Sequence, residues 1–117
     1  MIEWYTNNQT RCRYDSKTGN LFIPAELIDK DQVLGNTVKV NIGIDRENNR
    51  LIVKYTKNHF RGLNLKRPSN RASGTQFKMS LTFLPNCDKI LSQGYYNVRI
   101  KEDELEIDLS KVYKTKY

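Results

Sequence analysis

Apolar and polar positions alternate in short stretches along most of this chain, and the stretches recur in a fixed order. In residues 37–45, Val38, Val40, Ile42 and Ile44 take every second position, and 51–55 follows after the polar turn Glu47-Asn48-Asn49. A period of two marks a half-buried strand, so this pair predicts a hairpin. Upstream, 11–14 and 20–23 read as strands around a turn at 15–19, with Tyr5 in an earlier part of the first strand. Pro24 removes a backbone donor and fixes φ, so it ends the second strand and opens a short helix predicted over about 25–30. Gly35-Asn36 then turns the chain into the alternating strand.

The order is repeated downstream. MSLTFLP is a second strand-then-proline step ending at Pro85, NCDKILSQ takes the place of the short helix, and Gly94 takes the place of Gly35. Tyr96, Val98 and Ile100 alternate as Val38, Val40 and Ile42 do, EDEL forms the turn, and Leu105, Ile107 and Leu109 form the closing strand. The likeness is one of pattern, with one linker shortened, and it predicts an internal duplication. Residues 1–117 are read as a single domain: a first hairpin unit over 11–55, a connecting segment over 56–74, a second, degenerate unit over 75–109, and a tail over 110–117.

The run TGNLFIPAEL, LGNTVKVNI, NNRLIVKY resembles the swapped-hairpin unit of the AbrB/MazE transcription-regulator family. In both, a turn glycine leads to a short apolar strand ending in Ile-Pro, then a Glu-Leu helix, a Leu-Gly turn, an alternating strand and a last hairpin strand. Residues 11–55 carry the resemblance well and 75–109 weakly. Two units in one chain are similar to the tandem arrangement of the MraZ family. The resemblance implies a mainly β fold with short helices, a small β-barrel built from two swapped-hairpin AbrB-like units. It also implies DNA contacts from arginines of the first hairpin, where Arg11 and Arg13 stand. Beyond the helix start, however, this chain reads Ile28-Asp29 where the DNA-binding members carry a basic pair.

Charge moves the expected surface elsewhere. The whole chain carries a formal net charge of +7, and no acidic residue occurs over 48–87. That stretch holds Arg50, Lys54, Lys57, Arg61, Lys66, Arg67, Arg71 and Lys78, so the entire positive excess lies within it. A one-sign block attracts polyanions. Lys and Arg release counterions from phosphates, and Tyr55, Phe60 and Phe77 are candidates to stack on unpaired bases. The acidic counterpart is Glu102, Asp103, Glu104, Glu106 and Asp108, of which the last three share one strand face and read as a solvated surface.

Catalytic and cofactor signatures are missing. There is no phosphate-binding glycine loop, no GxGxxG and no HExxH. Cys12, Cys87 and His59 fall short of the four ligands of a conventional zinc site, and the two cysteines read as plain thiols. No cofactor or metal is expected, and the chain reads as a non-enzyme. No apolar run approaches the ~20 residues of a membrane span, and the polar N-terminus has no signal-peptide core, so a cytoplasmic protein is expected. Two functions fit: a nucleic-acid-binding regulator, with DNA ahead of RNA, or a protein-binding inhibitor or adaptor against an acidic, nucleic-acid-handling partner. For the second, Asn/Lys/Tyr-rich composition suggests a phage or mobile-element source, as for anti-CRISPR-like proteins. Monomer and homodimer both remain open.

Overall fold

The computed structural model describes residues 10–57, 62–67 and 76–116; Tyr5 lies outside them. Alternation becomes burial over most of the strands, though Ile42 and Ile44 are half-buried and Ile100 is exposed. β1 (Cys12–Asp15) and β2 (Asn20–Pro24) form the first hairpin, with Leu21 and Ile23 facing inward. β3 (Val33–Leu34) leads into β4 (Thr37–Asp45), which buries Val38 and Val40, and β5 (Arg50–Tyr55) buries Leu51 and Val53. β6 (Leu63–Lys66) and β7 (Gln76–Ser80) contribute Leu65, Phe77 and Met79 to the core. After the single-turn α1 (Cys87–Ile90) come β8 (Gly94–Tyr96), β9 (Val98–Ile100) and β10 (Glu104–Asp108), the last burying Leu105 and Ile107.

All ten strands belong to one antiparallel sheet of order β8-β1-β2-β7-β6-β4-β5-β10-β9, with β3 attached to β4. Its two ends, β8 and β9, are separated in the chain only by Asn97. The sheet therefore starts and finishes on one piece of backbone and curls into a small, nearly closed β-barrel, as expected from the sequence. The buried side chains of both halves meet in a single hydrophobic cluster. Each fully buried Leu, Ile, Val or Phe there contributes roughly 1.5–3 kcal/mol relative to exposure.

The pairing scheme has an internal symmetry. β1 pairs with β2 as β6 pairs with β7, and β4 pairs with β5 as β9 pairs with β10. Between the two sets, β1 pairs with β8 as β6 pairs with β4, while β2 pairs with β7 and β5 with β10. Exchanging the sets maps the scheme onto itself. Most strand edges of one half are thus covered by the other, which leaves few exposed edges of the kind that invite intermolecular pairing. The edge of β8 is covered by the tail, where Tyr95 and Tyr113 exchange backbone hydrogen bonds of 2.8 and 2.7 Å. Gly94 permits this approach: its φ is +144°, and a Cβ there would stand 2.7 Å from the Tyr113 carbonyl oxygen.

Three local expectations change. Pro24 does end β2, with φ of −55°, but the helix after it is two 3₁₀ turns, Ala25–Leu27 and Lys30–Gln32. Ile28 and Asp29 between them are extended because Ile28 is drawn into the core and the Asp29 carboxylate accepts from the Asp31 N–H. The second strand stops at Ser80, well before Pro85. Leu81 donates its N–H to Gly19 across the sheet, and Leu84 donates back to Leu81, so a turn precedes α1. Finally, β6 lies within 56–74, the stretch that reads as a connection in the sequence. Its Leu65 supplies a fully buried side chain.

Candidate nucleic-acid interface

Antiparallel register places side chains of paired residues on the same face of a sheet. Tyr95 of β8 is opposite Arg13 of β1, Arg13 opposite Phe22 of β2, and Phe22 opposite Lys78 of β7. Lys78 is opposite Lys66 of β6, and Lys66 opposite Thr37 of β4. Their strand neighbours Cys12, Tyr14, Leu21, Ile23, Phe77, Met79, Leu65 and Val38 are buried, so this row runs along the outside of the barrel. Lys66 and Lys78 are exposed, and Tyr95, Arg13 and Phe22 are half-buried. Five inter-strand spacings of about 4.8 Å make the row about 24 Å long. Lys39, opposite Asn64, adds a half-buried cation beside its β4–β6 end.

Among the described residues no carboxylate pairs with the cations of this face, Arg13, Lys39, Lys66 and Lys78. Asp15, at the end of β1, is turned into its own hairpin, accepting from the Lys17 N–H and the Thr18 hydroxyl. Arg13 lies over the Phe22 ring, with the guanidinium carbon 4.2 Å from the centroid, within cation–π range. Lys66 and Lys78, opposite one another, repel, a cost that a bound anion would relieve.

On the outer face of β4, β5, β10 and β9 the charges cancel. Arg50 is paired with Asp108 at 2.5 Å, Lys101 with Glu106 at 3.1 Å, and Lys54 reaches Asp103 at 3.9 Å. The acidic run expected to form a solvated face thus covers Arg50 and Lys54 among the described central cations. The Ser110 hydroxyl, with its N–H and Arg50 assisting, holds the Asp108 carboxyl below the usual aspartate range. An open cleft of 620 Å³ lies on this side, lined by Glu26, Arg50, Asn97, Arg99, Glu106 and Asp108 among others. Both signs of charge line it, so it has no preference for a polyanion.

Measured against the sequence expectations, the structure groups Arg13, Lys66 and Lys78 in one row and places Arg11, Arg50, Lys54 and Arg67 outside it. Arg11 is committed to the fold: its Nε donates to Asn97 Oδ1 at 2.9 Å, its Nη1 to the Thr115 carbonyl at 3.1 Å, and its guanidinium stacks on Tyr113 at 3.5 Å. Arg50 and Lys54 belong to the ion-paired face. Lys57 is exposed just beyond β5. Arg67 lies over the Phe77 ring at 5.5 Å, next to a smaller pocket under the 3₁₀ turns. Arg61, Arg71, Phe60 and His59 lie outside the described residues.

The stacking residues need correction. Phe77 is 1 % exposed and Tyr55 8 %, with the Tyr55 hydroxyl accepting from the Asp29 N–H and burial raising its phenol. Neither offers a ring face to a base. Phe22 and Tyr95 are the aromatic residues of the outer row, and the signal for Phe22 was present: in NLFIP, a period of two that buries Leu21 and Ile23 must turn Phe22 outward. The cysteines are both free; Cys12 is fully buried and its thiol is pushed up to about 12, which makes it inert, and Cys87 lies 3.3 Å from the Tyr14 hydroxyl.

Among the described residues no cluster of His, Cys, Asp and Glu could hold a metal ion, and no helix is long and apolar enough to cross a membrane. Comparisons with protein-family models, with curated proteins and with solved structures find no match for this chain.

Proposed function

We propose that this chain is a non-catalytic nucleic-acid-binding regulator of the cytoplasm, in which two AbrB-like hairpin units close one barrel within a single chain. The observation that carries the reading is the outer row of cations, Arg13, Lys78 and Lys66, which form no ion pair among the described residues and are interleaved with Phe22 and Tyr95. The exchange symmetry of the strand pairing supports the tandem-unit part of the proposal, and the pairing of strand edges within the chain supports a monomer. Affinity comes from phosphate neutralisation by Arg13, Lys39, Lys66 and Lys78, which is independent of sequence and sensitive to salt.

The test is equilibrium binding of a 20-nucleotide single strand and a 20-base-pair duplex across a salt series. Four phosphate contacts predict a log–log slope of about −2.8 for the single strand and −3.6 for the duplex. Absence of binding to either at low salt removes the proposal. It leaves the second reading, an inhibitor or adaptor that places the same row against an acidic protein. The aspartate at position 29, in place of a basic residue, favours that alternative.

A further inference from the structure

We infer that the row is built for unpaired bases, so that the ligand is a single strand of nucleic acid; this rests on the nucleic-acid reading and makes it more specific. Phosphates alone need only cations, whereas this row pairs its cations with planar groups at one end. Arg13 stands between two aromatic cross-strand partners, Tyr95 and Phe22, and lies against the Phe22 ring at 4.2 Å. Arginine planes and aromatic rings are the surfaces on which splayed bases stack, and this end of the row brings both together. In a duplex the base faces are already covered by their neighbours, and only groove edges and backbones are on offer.

The other end of the row fits one backbone. Lys78 and Lys66 are direct cross-strand partners, one spacing of about 4.8 Å apart, and Phe22 is one spacing from Lys78. A strand lying along the row places a base on the Arg13–Phe22 stack and its following phosphates on Lys78 and Lys66. The row's length of about 24 Å corresponds to the short end of known single-strand sites, about 4 nucleotides. No ion pair competes for these groups among the described residues. Phe22 and Tyr95 are half-buried, which limits their mobility before binding.

The experiment compares 12-nucleotide oligothymidine and oligouridine with a 12-base-pair duplex and with inorganic polyphosphate, at one salt concentration, by fluorescence anisotropy and competition. Either single strand bound at least about ten-fold more tightly than duplex and polyphosphate supports the inference. The tighter of the two identifies DNA or RNA as the source. Phe22→Leu, which keeps apolar bulk for Arg13, lowers single-strand affinity about ten-fold and leaves duplex and polyphosphate binding unchanged. Lys66→Gln with Lys78→Gln lowers all of them together. In Phe22→Trp, binding of a single strand quenches the added indole fluorescence above the Trp4 background. Equal affinity for duplex and single strand, or an unaffected Phe22→Leu, overturns the inference while the nucleic-acid reading stands. Loss of binding to every probe overturns both. Circular dichroism melts of each variant confirm that it is folded.

Discussion

The two outer faces of this barrel use the same charged residue types to opposite ends. On β5, β10 and the turn that joins β9 to β10, cations and carboxylates alternate, and Arg50, Lys54 and Lys101 each have an acidic partner. On β1, β2, β7 and β6 the partners of cations are aromatic, polar or cationic: Phe22 beside Arg13, and Lys66 beside Lys78. The faces share a core and are both built from antiparallel strand pairs, so backbone pairing alone does not dictate the difference. The choice of side chain at outward positions does. A residue's charge identifies a binding surface only when the residue opposite leaves it unneutralised.

The first way to break this comparison is to ask whether the faces belong to one cooperative body. Phe77→Ala beneath the basic face and Leu105→Ala beneath the paired face are each expected to cost about 3–5 and 2–5 kcal/mol, as buried large side chains. Urea denaturation of either variant should show one transition. Two separate transitions would mean the faces fold independently.

Next in size is charge reversal. Lys66→Glu with Lys78→Glu should weaken single-strand binding about 100-fold at roughly 0.1 M salt, since each lost phosphate contact is worth about an order of magnitude there. Lys54→Glu with Lys101→Glu, on the other face, should change affinity by less than about three-fold, those cations being already paired. Similar losses from both pairs would erase the distinction between the faces.

Acid sharpens it. Asp108 and Asp45, both on the paired face, have carboxyls held below their usual range, by Ser110 and by Asn48 respectively before any arginine acts. A folded value below the unfolded one, about 3.9, stabilises the fold above about pH 4, and this stabilisation is lost as pH falls through the folded value. Thermal melts between pH 5 and 2 should show this loss, and Asp108→Asn should flatten the curve while costing about 1 kcal/mol or less at neutral pH. An unchanged acid profile in that variant would remove Asp108 from the account.

The smallest effect runs the other way. Lys78→Thr relieves a like-charge cross-strand pair and introduces a better strand former, so stability should rise by about 0.5 kcal/mol while binding weakens. A destabilised Lys78→Thr would mean that the lysine stem packs more than its charge repels.

Local features were legible in the sequence because their causes are local. Alternation in 37–45 and 104–108 gave strands, Pro24 gave a strand end, and Glu47-Asn48-Asn49 gave a hairpin turn in which Asn49 takes a φ of +54°. What depends on distant partners was not legible. LNLK is four residues among basic neighbours, and it becomes a strand only because β4 lies beside it. Arg11 appeared as a phosphate ligand until Asn97, Tyr113 and the Thr115 carbonyl closed around it. Phe77 and Phe22 are both phenylalanines in strand-like runs, and only burial tells which faces solvent. The basic block of 48–87 did not resolve into a surface in the sequence, because two of its members meet the acidic run at 102–108 and others lie outside the described residues.

The pairing of β2 with β7 bears on direction. If two identical chains met across such a pair, every residue on one side would be repeated on the other, and a ligand would read the same from either end, as a palindrome does. Here both strands belong to one chain, and Phe22 faces Lys78 instead of a copy of itself. The surface has a head and a tail: rings toward β8, ammonium groups toward β4. If the proposed ligand is a strand of nucleic acid, which also has two unlike ends, a surface without self-repetition would take it in one polarity.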